Sequence, residues 1–210
     1  MSSRWTELTG GAGSDGDEYA ARFDRLAESG ADVHGEAGLC DSLLGAPGRV
    51  LDAGCGTGRV AIRLAELGHD CTGVDADESM LDVARARAPG LSWVLADLFT
   101  LDVDALGREG FDLVVAAGNV IPLLAAGSEA LVVSRLAALL NPGARLVAGF
   151  GLDPEHLPLD DAPVDLASYD QWCADAGLEA VDRFATWDGD PYVGGGYAVS
   201  VHRRSVPADG

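Results

Sequence analysis

The residues best suited to chemistry sit in and after one glycine-dense turn. The segment Val50-Leu51-Asp52-Ala53-Gly54-Cys55-Gly56-Thr57-Gly58-Arg59 runs from an apolar stretch through Gly54, Gly56 and Gly58, with Asp52 two residues before the first glycine. Glycines in such a turn admit positive φ and a close approach of backbone to ligand. The free amides of a following helix start favour a negative ligand group. Many nucleotide and dinucleotide folds share a turn of this kind. The dinucleotide fingerprint GxGxxG would put its last glycine at position 59, where this chain has Arg59, so the spacing here is GxGxG. Asp75 ends the next apolar stretch, where a carboxylate can accept two hydrogen bonds from a ribose diol. Asp97 follows the stretch after that, placed to accept from an exocyclic adenine amine. Singly, each aspartate reads as a helix cap or a solvated loop residue. Three of them after three consecutive strands share one rim of a sheet, the rim where open α/β sheets bind ligands.

The elements that must position these residues alternate. Strand-like stretches cover Arg49–Ala53, Asp70–Val74, Leu91–Leu95, Phe111–Ala117 and Leu146–Phe150. Helical spacing covers Arg59–Leu67, Glu78–Ala88 and Ser128–Leu140, the last stopped by Asn141-Pro142-Gly143. This rhythm predicts βαβ units and a mostly parallel sheet covered on both faces. The last quarter breaks it. A helix over Leu166–Ala176 leads to two strands, Leu178–Thr186 and Gly196–Val201, which pair antiparallel because only a turn joins them. Ahead of the first strand, helices are expected from Asp17 to Gly30 and over Gly35–Leu44. The first 16 residues, polar and glycine-rich around the solitary Trp5, predict a mobile segment.

Composition removes whole classes of function. Thirty-four acidic residues against fourteen basic ones leave a net charge of −20, and all fourteen basic residues are arginine. Without lysine there is no phosphate-loop lysine, no Schiff-base lysine for pyridoxal phosphate and no amine nucleophile except the N-terminus. The charge argues against a nucleic-acid partner, whose affinity comes from basic residues on phosphates. It suits a small or cationic ligand. No basic-then-apolar leader opens the chain, and the most apolar stretch, Leu113 to Gly127, is interrupted and shorter than the roughly 20 residues a bilayer span needs. Cys40, Cys55, Cys71 and Cys173 form no CxxC pair and no metal-ligand spacing, which predicts reduced thiols, no metal site and a cytoplasmic protein. With 210 residues at 21.6 kDa and no linker, a single domain is expected over 1–210, with 1–45 an N-terminal helical lid and 46–205 the α/β core.

At these residues the chain resembles the class I S-adenosylmethionine-dependent methyltransferases, over about Arg49 to Leu152. VLDAGCGTGR is similar to that family's cofactor loop, GVDADESML to its ribose-binding strand end and LADLF to its adenine-contacting segment. FDLVVAAGNVIPLL resembles its fourth strand and the loop facing the methyl group, and LNPGARLV the turn into its fifth strand. The resemblance implies a three-layer Rossmann-like α/β fold whose seven-stranded sheet has the order 3-2-1-4-5-7-6, with strand 7 antiparallel. It also implies S-adenosyl-L-methionine as cofactor and transfer of a methyl group to a small-molecule acceptor. Carried over, Gly54, Gly56 and Gly58 would line the methionine half of the cofactor and Asp52 would help receive its ammonium. Asp75 would bind both ribose hydroxyls, and Ala76 and Met80 would pack on the adenine, a contact suited to a thioether. Asp97 would accept from the adenine amine, and the amide of Leu98 would point at a ring nitrogen. Asn119, or the backbone around Gly118, would lie near the reacting methyl, while Trp5, Tyr19 and Arg22 would fold over the cofactor.

A hydroxyl or ammonium acceptor needs a base, and the histidines are the candidates. His34, just ahead of the first strand, is the first choice. His156 falls in the loop after the fifth strand, His69 at the opposite end of the sheet and His202 in the last strand. The acidic run Asp160, Asp161 and Asp165 could attract a cationic acceptor. Three alternatives stay open: an NAD(P) oxidoreductase, an aminopropyltransferase-like enzyme, and a cofactor-binding protein without turnover. Acceptor identity and oligomeric state are not legible.

Overall fold

The computed structural model describes residues 2–10, 15–102, 106 and 110–206. Seven strands form one sheet: β1 (Arg49–Ala53), β2 (Asp70–Asp75), β3 (Ser92–Leu95), β4 (Phe111–Ala116), β5 (Leu140–Gly151), β6 (Leu178–Phe184) and β7 (Tyr197–Arg204). Their order is β3-β2-β1-β4-β5-β7-β6. The first five run parallel, and β7 lies antiparallel to both β5 and β6. This is the architecture that the resemblance implied.

The central strands are apolar at consecutive positions because both faces are covered. Leu51, Val114, Leu146 and Phe150 point to one side and pack with α7 (Glu129–Ala138) and α8 (Leu166–Asp175). Their neighbours Val50, Leu113, Val115 and Val147 point to the other, against α3 (Gly35–Leu44) and α4 (Arg59–Glu66). The strand order reverses between β1 and β4, so the connections leaving their carboxyl ends part in opposite directions and open a crevice. α1 (Arg4–Leu8), α2 (Gly16–Glu28), α5 (Glu78–Arg87) and the short α6 (Val120–Leu123) complete the fold.

Three expectations need correcting. The first 16 residues are not structureless: Arg4–Leu8 is helical, capped by the Ser3 hydroxyl accepting from the Thr6 amide at 3.1 Å. Five residues are too few to hold a helix alone. Arg4 holds it, with Nη1 donating to the carbonyls of Pro122 (3.1 Å) and Leu124 (2.8 Å) and to Glu129 Oε1 (2.9 Å). Residues 1 and 11–14 of that stretch lie outside the described ones. Second, β5 begins at Leu140 and not Leu146, so Asn141-Pro142-Gly143 lies inside a strand. Pro142 has no N–H to give a ladder, and the pairing with β4 accordingly shifts register between Phe111 and Leu113. Third, the stretch read as a loop after β4 contains α6, started by Asn119 at φ +70°.

Candidate functional site

The cavity lies where the crevice predicts, above the carboxyl ends of β1, β2, β3 and β4. Its wall holds Asp52, Gly54, Gly56, Asp75, Ala76, Met80, Asp97, Leu98, Gly118 and Tyr19, among others. Backbone bonds fix the glycine turn. The amides of Gly54 and Cys55 both donate to the Val74 carbonyl, at 2.8 and 3.0 Å, and the Gly56 amide donates to Asp75 Oδ2 at 2.7 Å. A methyl group on Gly54 would meet Val120 Cγ2 at 2.6 Å, and one on Gly58 would meet Trp93 at 2.5 Å. Those two glycines make room for protein. Gly56 and Gly118 differ: at both, a methyl group would point into open space, the nearest atom being a Tyr19 ring carbon 4.0 Å from Gly56. They leave a cradle open from opposite sides of the crevice.

The carboxylates are held in graded environments. Asp52 is buried, and its Oδ2 accepts the Ala61 amide at 3.1 Å. Burial pushes its acid up to about 7, against the opposing pull of the Ala61 amide and Arg59. Asp75 accepts from Gly56 through Oδ2 and from the Asp77 amide through Oδ1 at 2.9 Å, and burial raises it as well. Each of its oxygens keeps a lone pair for a ligand donor. Asp97 accepts the Phe99 amide through Oδ1 at 2.8 Å. Met80, in the first turn of α5, is 2% exposed.

The positive group in the wall is already engaged. Arg59 binds Glu36 with both terminal nitrogens, at 2.8 and 2.5 Å, donates to the Val33 carbonyl, and stacks 4.7 Å from the Phe23 ring. It thereby ties α2 and α3 to the glycine turn, and Tyr19 enters the wall from α2. A pyrophosphate here would meet three carboxylates and an arginine that Glu36 already neutralises. A ligand that brings a positive charge and hydrogen-bond donors matches these acceptors instead.

Comparison with known proteins identifies the family. Residues 50–143 match the family model described as a methyltransferase domain. The TehB-like S-adenosylmethionine-dependent methyltransferase of Corynebacterium glutamicum superposes with a TM-score of 0.78 at 33% identity, covering 90% of this chain and 98% of that one. The chain belongs to the class I S-adenosylmethionine-dependent methyltransferases. Glycine N-methyltransferase of Mus musculus is 37% identical over 113 residues, which is 47% of this chain and 39% of that protein. Magnesium-protoporphyrin O-methyltransferase of Rhodobacter capsulatus is 33% identical over 125 residues, 56% of this chain and 50% of that protein. The chain thus spans half or less of these two relatives. None of these matches supports the oxidoreductase alternative.

In this methyltransferase, Gly58, Asn119 and Arg22, three residues expected at the cofactor, lie outside the wall. Gly58 packs beneath it against Trp93. Asn119 turns its amide to β5 and the loop beyond, taking the Gly151 amide on Oδ1 at 2.8 Å and donating from Nδ2 to the His156 carbonyl at 3.0 Å. His34 is exposed at the start of α3, outside the wall, with its own amide donating to Asp32 Oδ1 at 2.7 Å. His156 also lies outside the wall, in the turn after β5, next to it through the bond from Asn119. His69 is at the far end of the sheet, as expected. Its Nδ1 accepts the Gly48 amide, which leaves the proton on Nε2 facing Asp41 at 2.9 Å. His202 is buried in β7 with Nε2 3.2 Å from Asp170, and burial lowers its pKa.

Two wall residues lie outside every motif quoted from the sequence, Ser3 ahead of α1 and Val60 in the first turn of α4, while Ala96, Ala117, Leu123 and Leu124 fall within LADLF and FDLVVAAGNVIPLL without being singled out. Val60 and Ala117 flank residues that were singled out, so adjacency could have found them. Ser3 has no local signal, because Arg4 places it through contacts more than a hundred residues away. Among the described residues no group of three His, Cys, Asp or Glu side chains could hold a metal ion, and all four cysteines are free and buried. Among the same residues, no helix is long and apolar enough to cross a membrane.

Proposed function

We propose that this chain binds S-adenosylmethionine in the cavity above β1–β4 and moves its methyl group to a small-molecule acceptor. The observation that carries this is the meeting of three carboxylates from the ends of three successive strands in one wall, with the deepest of them raised to about 7 by burial. A buried acid so perturbed is suited to a cationic partner, such as the ammonium of the cofactor's methionine half. Asp75 holds the ribose diol with its remaining lone pairs. Met80 and Ala76 pack on the adenine, whose amine meets Asp97 and whose ring nitrogen meets the Leu98 amide. The open cradle at Gly56 and Gly118 receives the methionine chain.

The bound cofactor supplies a methyl group already activated on a sulfonium. The protein's own task is alignment and exclusion of water, which can supply most of the acceleration of an in-line displacement. The described residues ahead of β1 act as the lid for that purpose, with Ser3, Trp5 and Tyr19 closing over the cavity and Arg4 and Arg59 as its fastenings. The net charge of −20 favours a neutral or cationic acceptor and disfavours nucleic acid. Four buried free thiols fit a reducing, cytoplasmic setting.

Thermal unfolding with added ligand tests the reading. S-adenosylhomocysteine at a hundred times its dissociation constant stabilises the fold by about 2.7 kcal/mol, a rise of roughly 5–10 °C for a chain of this size. NAD leaves the midpoint unchanged. A shift with NAD and none with S-adenosylhomocysteine would reverse the assignment.

A further inference from the structure

The loop after β5 holds a polar pair that the cofactor does not use. Pro154–His156 forms a single helical turn capped by Asp153. The Asp153 carboxylate takes three donors on Oδ1: the Glu155 amide at 3.1 Å, the His156 amide at 3.2 Å and His156 Nδ1 at 2.7 Å. These bonds hold the Asp153 acid below its usual range, the His156 side chain contributing most. Because a carboxylate only accepts, the bond to Nδ1 places a proton there, so in the neutral imidazole Nε2 is the nitrogen that carries the lone pair. Both side chains are partly exposed, at 44% and 40%.

The surroundings are shaped around this pair. A methyl group on Gly151, the last residue of β5, would meet the His156 backbone at 2.6 Å. One on Gly196, just before β7, would meet Asp153 Oδ2 and His156 Nδ1 (2.5 Å). Two strand ends thus lack side chains where the pair sits. From the other side Asn119, held at φ +70°, grips the His156 carbonyl at 3.0 Å and the Gly151 amide at 2.8 Å. Its chain neighbours Gly118 and Val120 line the cofactor cavity. A positive φ on a residue other than glycine is a local cost, here spent on joining the cavity wall to the His156 turn. The ring of Tyr197 on β7 lies 6.4 Å from the same imidazole that Asp153 binds.

We infer that His156 is the general base for the methyl acceptor, with Asp153 and Asn119 as its positioning residues, and that the acceptor is a small molecule with an O–H or N–H to lose. The inference rests on the methyl-transfer reading above. The acceptor's lone pair forms the new bond to the methyl carbon, the carbon–sulfur electron pair returns to sulfur, and the acceptor's proton passes to His156 Nε2. The resulting imidazolium stands against the Asp153 carboxylate, which stabilises it as the acidic member of a catalytic triad does.

Imidazole NMR on the full chain with S-adenosylhomocysteine bound reads the geometry without turnover, each of the four histidines being assigned by its own His→Gln variant. His156 is expected to carry its neutral-form proton on Nδ1, and Asp153→Asn to move that proton to Nε2. A proton on Nε2 in the unmodified protein, or no response to Asp153→Asn, overturns the inference. Turnover is read with methyl-labelled S-adenosylmethionine and a panel of phenols, hydroxy acids and amines. His156→Gln is expected to lower kcat at least about 100-fold while the affinity for S-adenosylhomocysteine stays unchanged, and to abolish the rise of rate with pH. Undiminished turnover in His156→Gln contradicts the inference, as does failure of the whole panel with a protein that binds S-adenosylhomocysteine. A protein that binds no S-adenosylhomocysteine instead removes the methyl-transfer reading itself.

Discussion

The two sides of the β1–β4 crevice are built by opposite means. On the β1–β3 side, each carboxylate of the cavity stands within two residues of a strand end. Asp75 and Asp77 share a hydrogen bond two residues apart, and so do Asp97 and Phe99. On the β4–β7 side the links are long: Asn119 reaches across 32 and 37 residues, and Arg4 across up to 125. The first side is a binding surface written locally into strand–turn–helix units. The second is a scaffold on which distant segments are clamped into place, and where an acceptor would be selected.

That contrast is open to attack by substitution. Phe150 is fully buried in β5 with its ring 5.1 Å from Tyr169. Phe150→Ala should therefore cost about 3–5 kcal/mol in urea denaturation, while the folded fraction still binds S-adenosylhomocysteine. Selective loss of binding at unchanged stability would break the division between scaffold and surface.

Asp52→Asn tests the binding side through pH. The acid of Asp52 is raised in the folded chain to about 7 from 3.8. A group raised on folding contributes stability that is complete below its unfolded value and lost as pH rises through the folded one. The ligand-free protein should thus weaken between about pH 4 and pH 7. The asparagine variant can keep the Ala61 bond without a buried charge. At pH 8 it should be more stable than the parent by on the order of 3–4 kcal/mol, yet bind S-adenosylhomocysteine more weakly. Binding below pH 7 should release a proton, visible by calorimetry in buffers of different ionisation enthalpy.

Glu129→Gln should have the smallest effect. Removing the charge opposite Arg4, in a pair whose side chains are only 20% and 8% exposed, should loosen α1 by about 1–2 kcal/mol. The readout is faster ligand dissociation in stopped flow with little change in unfolding. An unchanged dissociation rate would mean that α1 is no part of the lid.

The same contrast sets how much was legible in the sequence. Strand order, the antiparallel β7 and the convergence of Asp52, Asp75 and Asp97 all follow from local patterns and the resemblance they carry. The element edges failed where tertiary pairing overrode local signals: Asn141-Pro142-Gly143 reads as a stop, yet β4 recruits it into a bulged strand. α1 was invisible because Arg4 finds its acceptors on α6 and α7. Asn119 was singled out for the methyl, but its amide is turned to the His156 turn, a contact that only the folding of β5 beside β4 creates.

Isothermal titration of the protein and of Asp75→Ala with S-adenosylhomocysteine, with NAD as control, tests the central claim most directly. Asp75 places two oxygens at one strand end, and losing two charged hydrogen bonds to a diol should weaken binding by about 100-fold or more. The account predicts tight binding of S-adenosylhomocysteine to the parent, loss of it in Asp75→Ala, and no heat from NAD with either. Equal affinity in parent and variant, or binding of NAD alone, would contradict it.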